Sequence, residues 1–89
     1  MLVDAEAFAD RDVTRVYIAG RLSEAKRVEG ALSERGIDYT VEIERFQTRL
    51  LGILPTEYEG VAFYVLTVQA APARLVLDEA GLRAGLVEE

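Results

Sequence analysis

Two stretches of this chain stop in the same way. Leu32 is followed four residues later by Gly36 and then by Ile37, and Leu77 is followed at the same spacing by Gly81 and Leu82. Glycine takes the left-handed conformation that ends a helix at little cost, and the apolar residue after it packs back on the last turn, so each triplet predicts a Schellman ending. Each helix follows a β-branched, aromatic run. Before the first, Asp12 to Ala19 contains Val13, Val16, Tyr17 and Ile18; before the second, Val61 to Val68 is apolar apart from Thr67 and the Tyr64 hydroxyl. The first run predicts a strand with Thr14, Val16 and Ile18 on one face and Val13, Arg15 and Tyr17 on the other. Gly20-Arg21 turns the chain, and Leu22, Ala25, Val28 and Leu32 then recur with helical period, opposite Glu24, Lys26, Arg27 and Glu34. In the second unit Pro72 suits a first helical turn, leading through Leu75, Val76 and Ala80.

Between the units, Tyr39, Val41 and Ile43 alternate with Thr40, Glu42 and Glu44, the pattern of a strand with one wet face. A short last strand fits Gly85 to Glu88. The order strand, helix, strand, strand, helix, strand predicts an α+β fold, the ferredoxin-like split βαβ: a four-stranded antiparallel sheet with two helices on one face and strands one and three in its centre. At 89 residues there is room for one domain, 12–89, preceded by an arm, 1–11, that is loose or a short helix. The face without helices is expected to carry Arg15, Tyr17, Phe63 and Tyr64. It is too hydrophobic for comfortable exposure, so self-association as a homo-oligomer is its natural cover, with shielding by the arm as the plainer alternative.

Residues 46–60, Phe46 to Gly60, read as a connection far longer than a hairpin loop, and long loops in small domains are commonly functional. Leu50, Leu51, Ile53 and Leu54 give it an apolar centre, which tucks under the sheet edge or engages a partner. Arg45, Arg49 and Tyr58 flank that centre, with no carboxylate between Arg45 and Glu57. The segment is the candidate contact for a protein partner or a small anionic ligand.

What the chain lacks limits its chemistry. It has no Cys, His, Asn or Trp, which removes disulfides, thiolate nucleophiles, imidazole bases and structural zinc. No catalytic residue, metal ligand or cofactor is assigned. Ser23 and Lys26 match the S-x-x-K spacing, but Lys26 falls on the wet face, and Ser23 reads as a helix-start residue. Glu42, Glu44, Glu57 and Glu59 could offer an all-carboxylate cation site; with sixteen acids in the chain they read as a solvated acidic face. The net charge of −6 opposes polyphosphate and anionic membranes. The amino terminus lacks a basic and apolar leader, and no apolar run is long enough to span a bilayer, so the chain is expected to be soluble and cytoplasmic.

Two resemblances bear on the fold. Val16 to Leu22 looks like the first-strand motif of RNA-recognition domains, and Glu59 to Leu66 resembles their third-strand motif, whose aromatics stack on bases. Here Glu59 stands where the motif is basic, and Val61 and Leu66 replace aromatics, leaving Tyr17 and Phe63. That likeness supports the fold more than the activity. A second covers Arg15 to Leu82: Val16-Tyr17-Ile18-Ala19 running into Ser23-Glu24-Ala25, Leu32 leading to Gly36-Ile37, then Gly52-Ile53-Leu54-Pro55. It is similar to a family of small prokaryotic signal-transducing proteins that are PII-like in fold. The resemblance implies a regulatory or interaction module without catalysis, contacting partners through the loop between strands two and three. The glycine-rich nucleotide-binding loop of PII proteins is not found. The competing expectation is a small enzyme whose pocket forms on dimerisation, lined by Arg15, Tyr17 or Tyr64.

Overall fold

A computed structural model of the chain describes residues 1–49 and 55–87, with the backbone alone for 45–49 and 55–59. Strand β1 (Val13–Ala19) leads to helix α1 (Leu22–Glu34); strands β2 (Thr40–Arg49) and β3 (Pro55–Leu66) form an antiparallel hairpin; a short 3-10 turn, Thr67–Gln69, enters helix α2 (Ala70–Glu79). The sheet has three strands in the order β1-β3-β2, both pairings antiparallel. The apolar third strand is therefore central, as its composition requires. Beyond β1, residues 85–87 form no strand but make an antiparallel bridge, Tyr17 to Leu86: Ile18 N–H donates to the Gly85 carbonyl and Val87 N–H to the Val16 carbonyl, both at 2.9 Å. Glu88, the expected end of a fourth strand, lies outside the described residues.

Both helix endings take the form their triplets predict. Gly36 and Gly81 have φ of 69° and 81°. Ile37 N–H donates to Leu32 O and Gly36 N–H to Ser33 O; Leu82 and Gly81 repeat the pattern onto Leu77 and Asp78. Ile37 and Leu82 are both buried, so each stop also closes the core.

The helices touch each other and share one buried cluster with the sheet: Ala25, Val28 and Leu32 from α1, Ala70, Ala73 and Leu77 from α2, and Val16, Tyr17, Phe63 and Val65 from the strands. Small residues on α2 let it approach closely, while Leu75 is exposed. Leu22, expected in the α1 stripe, is 71% exposed because it precedes the turn that reaches the sheet. Ser23 lies inside the first turn and caps nothing. Glu24, three residues after the N-cap Arg21, reaches back to accept the Gly20 N–H at 3.0 Å.

The amino-terminal residues dock instead of hanging loose. Met1 O accepts from Tyr39 N–H at 3.0 Å, and Val3 N–H donates to Tyr39 O at 2.8 Å, a parallel bridge on the outer side of β2. Residues 4–12 then carry the chain to β1 through a 3-10 turn, Ala5–Phe8, whose Phe8 is buried. No helix among the described residues is long and apolar enough to cross a membrane.

Two expectations about side-chain placement and loop length are overturned. Arg15 pairs with Tyr64 and Tyr17 with Phe63, so Val16 is an extra residue, a β-bulge in β1. Past the bulge the alternation inverts. Tyr17 joins Val16 in the helix-side core at 0% exposure, and Phe63 opposite it is buried there too, so neither belongs to the open face with Arg15 and Tyr64. Residues 46–49 and 55–60 are likewise not loop. They are strand, continuing the β2–β3 ladder without a shift to Arg49 opposite Pro55.

Candidate functional site

The face of β3 turned away from the helices carries Ala62 and Tyr64, and three strands meet on it through one carboxylate. Glu44 of β2 accepts the Tyr64 hydroxyl on Oε1 at 2.5 Å and the Arg15 guanidinium on Oε2 at 2.7 Å. The register explains the reach. Glu44 stands opposite Gly60, four pairs along the ladder from Thr40 and its partner Tyr64, with only Glu42 and Ala62 between them on that face, so small residues leave room for the long side chains to lean along the strands. Arg15 and Glu44 retain only 32% and 23% of their side-chain exposure, and this desolvation makes the charge-assisted bonds stronger than a surface pair. The Tyr64 hydroxyl is pushed above its ordinary pKa, first because its proton is held by Glu44 and then by burial. Each Glu44 oxygen holds a donor. The arrangement clamps the base of the hairpin to β1 and offers no unengaged base or nucleophile.

A second polar group sits at the start of α1. Tyr17 donates its hydroxyl to Glu24 Oε2 at 2.5 Å, while Oε1 takes the Gly20 N–H. Burial, then the bond to Glu24, raises the Tyr17 pKa. The neighbouring cleft, about 430 Å³, is lined by Ile18, Gly20, Glu24 and residues 84–87. None of Arg15, Tyr17 or Tyr64, the side chains expected in a dimer-built enzyme pocket, lines it.

The residues singled out in 45–60 separate into two groups. Arg45 lies opposite Glu59, Tyr58 opposite Phe46 and Arg49 opposite Pro55 in the hairpin ladder, whereas Leu50, Leu51, Ile53 and Leu54 lie outside the described residues. Where the helices end, the ladder goes on. Ile43, the last apolar residue of the predicted alternation, is 72% exposed, beside Leu22 and a shallow cleft that also includes Ala19, Gly60 and Val61. From Glu44↔Gly60 to Arg49↔Pro55 there are six further pairs, a ribbon of roughly 20 Å at the usual rise per residue. Among the described residues no three or more of His, Cys, Asp and Glu gather to hold a metal.

Compared with known proteins, the chain matches no family model, no curated protein and no solved structure.

Glu44 and Glu24 are the polar residues that a reading by composition passes over, because both look like surface acids. A signal for Glu24 exists: an acid three residues past a helix start often accepts a backbone N–H. For Glu44 the signal is Gly60, and it becomes legible only once the β2–β3 register is known.

Proposed function

We propose that this chain is a small interaction module of regulatory type, working without catalysis in the cytoplasm and using residues 46–60 to contact a protein or a small anionic ligand. The observation that carries the reading is the hairpin that runs past the helix layer. An isolated two-stranded ribbon is marginal in water, and this one leads to a segment whose sequence is Leu50-Leu51-Gly52-Ile53-Leu54. Apolar residues at the end of such an arm gain most by burial against another surface. Arg45 and Arg49 add the positive charge that a carboxylate or phosphate partner needs.

The likeness to PII-like signal-transducing proteins supports the same reading through its position, since the segment joins the second and third strands. The bridge of Tyr17 to Leu86 supports counting 85–87 as a fourth strand beside β1, which gives the ferredoxin-like order 4-1-3-2 with both helices on one side.

The test replaces Leu51 and Ile53 together with Ser. Partner capture by the immobilised chain is expected to be lost, while helicity and melting temperature stay near those of the unmodified protein. A collapse in melting temperature would place the two side chains in the core, and undiminished capture would remove the segment from the contact.

A further inference from the structure

We propose that two copies of this chain join through the outer edges of their β2 strands, antiparallel, about a two-fold axis at Phe46. The proposal rests on reading the hairpin as a contact element, and it names the partner of its edge as a second copy.

The inner edge of β2 is filled by β3 over the whole strand. The outer edge is met by the amino-terminal segment at Tyr39, whose N–H and C=O both point outward to Met1 and Val3. The ladder to β3 shows no shift, so outward-pointing backbone groups recur at Val41, Ile43, Arg45, Gln47 and Arg49. Among the described residues no strand pairs with them. This edge runs roughly 30 Å at 3.4 Å per residue. Of the devices that keep sheet edges from pairing, 41–49 has no proline, lysine, bulge or short length; its charges, Glu42, Glu44, Arg45 and Arg49, are of both signs, and Ile43 on it is exposed.

Charge then selects both the occupant and the register. In an antiparallel pairing of one strand with its copy, facing residues must share a face, so the axis passes through a residue. An axis at Glu42 or Glu44 sets that glutamate against its own copy. At Ile43 it sets Glu42 against Glu44 twice; at Arg45, arginine against arginine; at Gln47, Arg45 against Arg49 twice. Val41 brings the copy onto the segment docked at Tyr39, and Thr48 leaves three residues of overlap among those described. Phe46 gives a longer overlap than Thr48 and no like-charge pair: Ile43 faces Arg49, Glu44 faces Thr48, Arg45 faces Gln47, and Phe46 faces Phe46. Like charges directly opposite destabilise a ladder, whereas an aromatic pair stabilises it. In this register the outward groups of residues 43, 45, 47 and 49 meet one another and exchange backbone hydrogen bonds, and the Phe46 pair falls at a close, non-hydrogen-bonded position. The axis lies beyond Ile43, so the two helix layers fall at opposite ends of the joined ribbon and do not collide. It also keeps the two bodies of charge −6 apart.

Light scattering and sedimentation on the full chain test the assembly. A dimer is expected at tens of micromolar, with a dimer fraction that rises between about 0.05 and 0.5 M NaCl as salt screens the repulsion of the bodies. Gln47→Pro removes an outward N–H and leaves the β3 ladder intact, so it should yield a folded monomer with an unchanged far-ultraviolet spectrum. The chain has no cysteine, so single-cysteine variants report the register directly. Under oxidised glutathione Phe46→Cys should form a disulfide-linked dimer at least ten times faster than Arg45→Cys or Ile43→Cys. A wild-type monomer at every concentration and salt, or cross-linking at position 45 as fast as at 46, overturns the proposal. So does a folded Gln47→Pro variant that stays dimeric; if that variant unfolds, the cysteine rates decide. Loss of self-pairing with partner capture intact would refute this inference and leave the hairpin's other contact standing.

Discussion

Gly85 has no room for a side chain. A Cβ built there would lie 2.0 Å from the Ile18 carbonyl oxygen and 2.8 Å from Cε1 of Tyr17, and neither can yield: one is strand backbone, the other a ring buried at the centre of the core. Gly85→Ala must therefore push the 85–87 segment off β1. Three hydrogen bonds go with it: Ile18 N–H to Gly85 O, Val87 N–H to Val16 O, and Arg74 Nε to Val87 O at 2.8 Å. At about 1 kcal/mol net for each, with about 1 kcal/mol more for uncovering the half-buried Leu86, detachment costs about 4 kcal/mol. That value is a ceiling, since detaching relieves the clash, and about 2–4 kcal/mol is the expected loss. In a domain of this size each kcal/mol lowers the melting temperature by roughly 4–8 °C. Urea unfolding gives the loss, and hydrogen exchange locates it: the Ile18 and Val87 amides should lose protection while Val65, buried in the central strand β3, keeps protection up to the reduced global limit. A variant within about 0.5 kcal/mol of wild type whose Ile18 amide remains protected would refute the close approach of the tail to β1.

Further outcomes follow from the caps, the clamp and the tyrosines. Gly36→Ala and Gly81→Ala meet no atom within 4 Å, so the cost is that of a positive φ alone, about 1 kcal/mol each by chemical denaturation; a neutral result would mean that the helix ends relax. Tyr64→Phe and Glu44→Ala should each cost about 1–2 kcal/mol, and because both remove the same bond, the double variant should fall short of the sum by about 1 kcal/mol; strict additivity would place the two side chains apart. Tyr17, Tyr39 and Tyr64 all hold their protons more tightly in the folded chain, with burial the leading cause for the first two and the Glu44 bond for the third. Their contribution is therefore complete below about pH 10, the unfolded tyrosine value, and falls as pH rises through the folded values, because the unfolded chain then binds fewer protons. Stability measured from pH 8 to 11 should drop only above about 10, and Tyr64→Phe should make the fall shallower; a decline beginning near neutrality would assign it to other groups.

The hairpin shows how much of the contact arm was legible. Residues 46–60 read as loop because Gly52 and Pro55 interrupt them and their apolar residues cluster instead of alternating. The signal for a ladder lies in symmetry about Gly52: Arg45 with Glu59, Phe46 with Tyr58, Gln47 with Glu57 and Thr48 with Thr56 are the pairs the register makes. Phe, Tyr and Thr favour strands, and matched pairs across a glycine suit a hairpin. The clamp was half legible. Arg15 and Tyr64 belong together on the open face, as their strand positions suggest, but Glu44 joins them only because Gly60 and Ala62 open the path. Tyr17 faces the helices because of a single inserted residue in β1, and Phe63 because it adjoins Tyr64 in an unshifted strand, where neighbouring side chains take opposite faces.

Local rules were enough, from the order of amino acids alone, for the two glycine-ended helices, the three strands of the sheet, the central place of the third and the want of cysteine and histidine chemistry. Each depends on contacts a few residues apart or on simple inventory. The tertiary structure decided which way Tyr17 faces, what Glu44 holds, how far the hairpin runs and how closely the tail crosses Gly85. Those depend on register between distant strands, where one bulged residue turns a side chain from one face of the sheet to the other and no local preference records the shift.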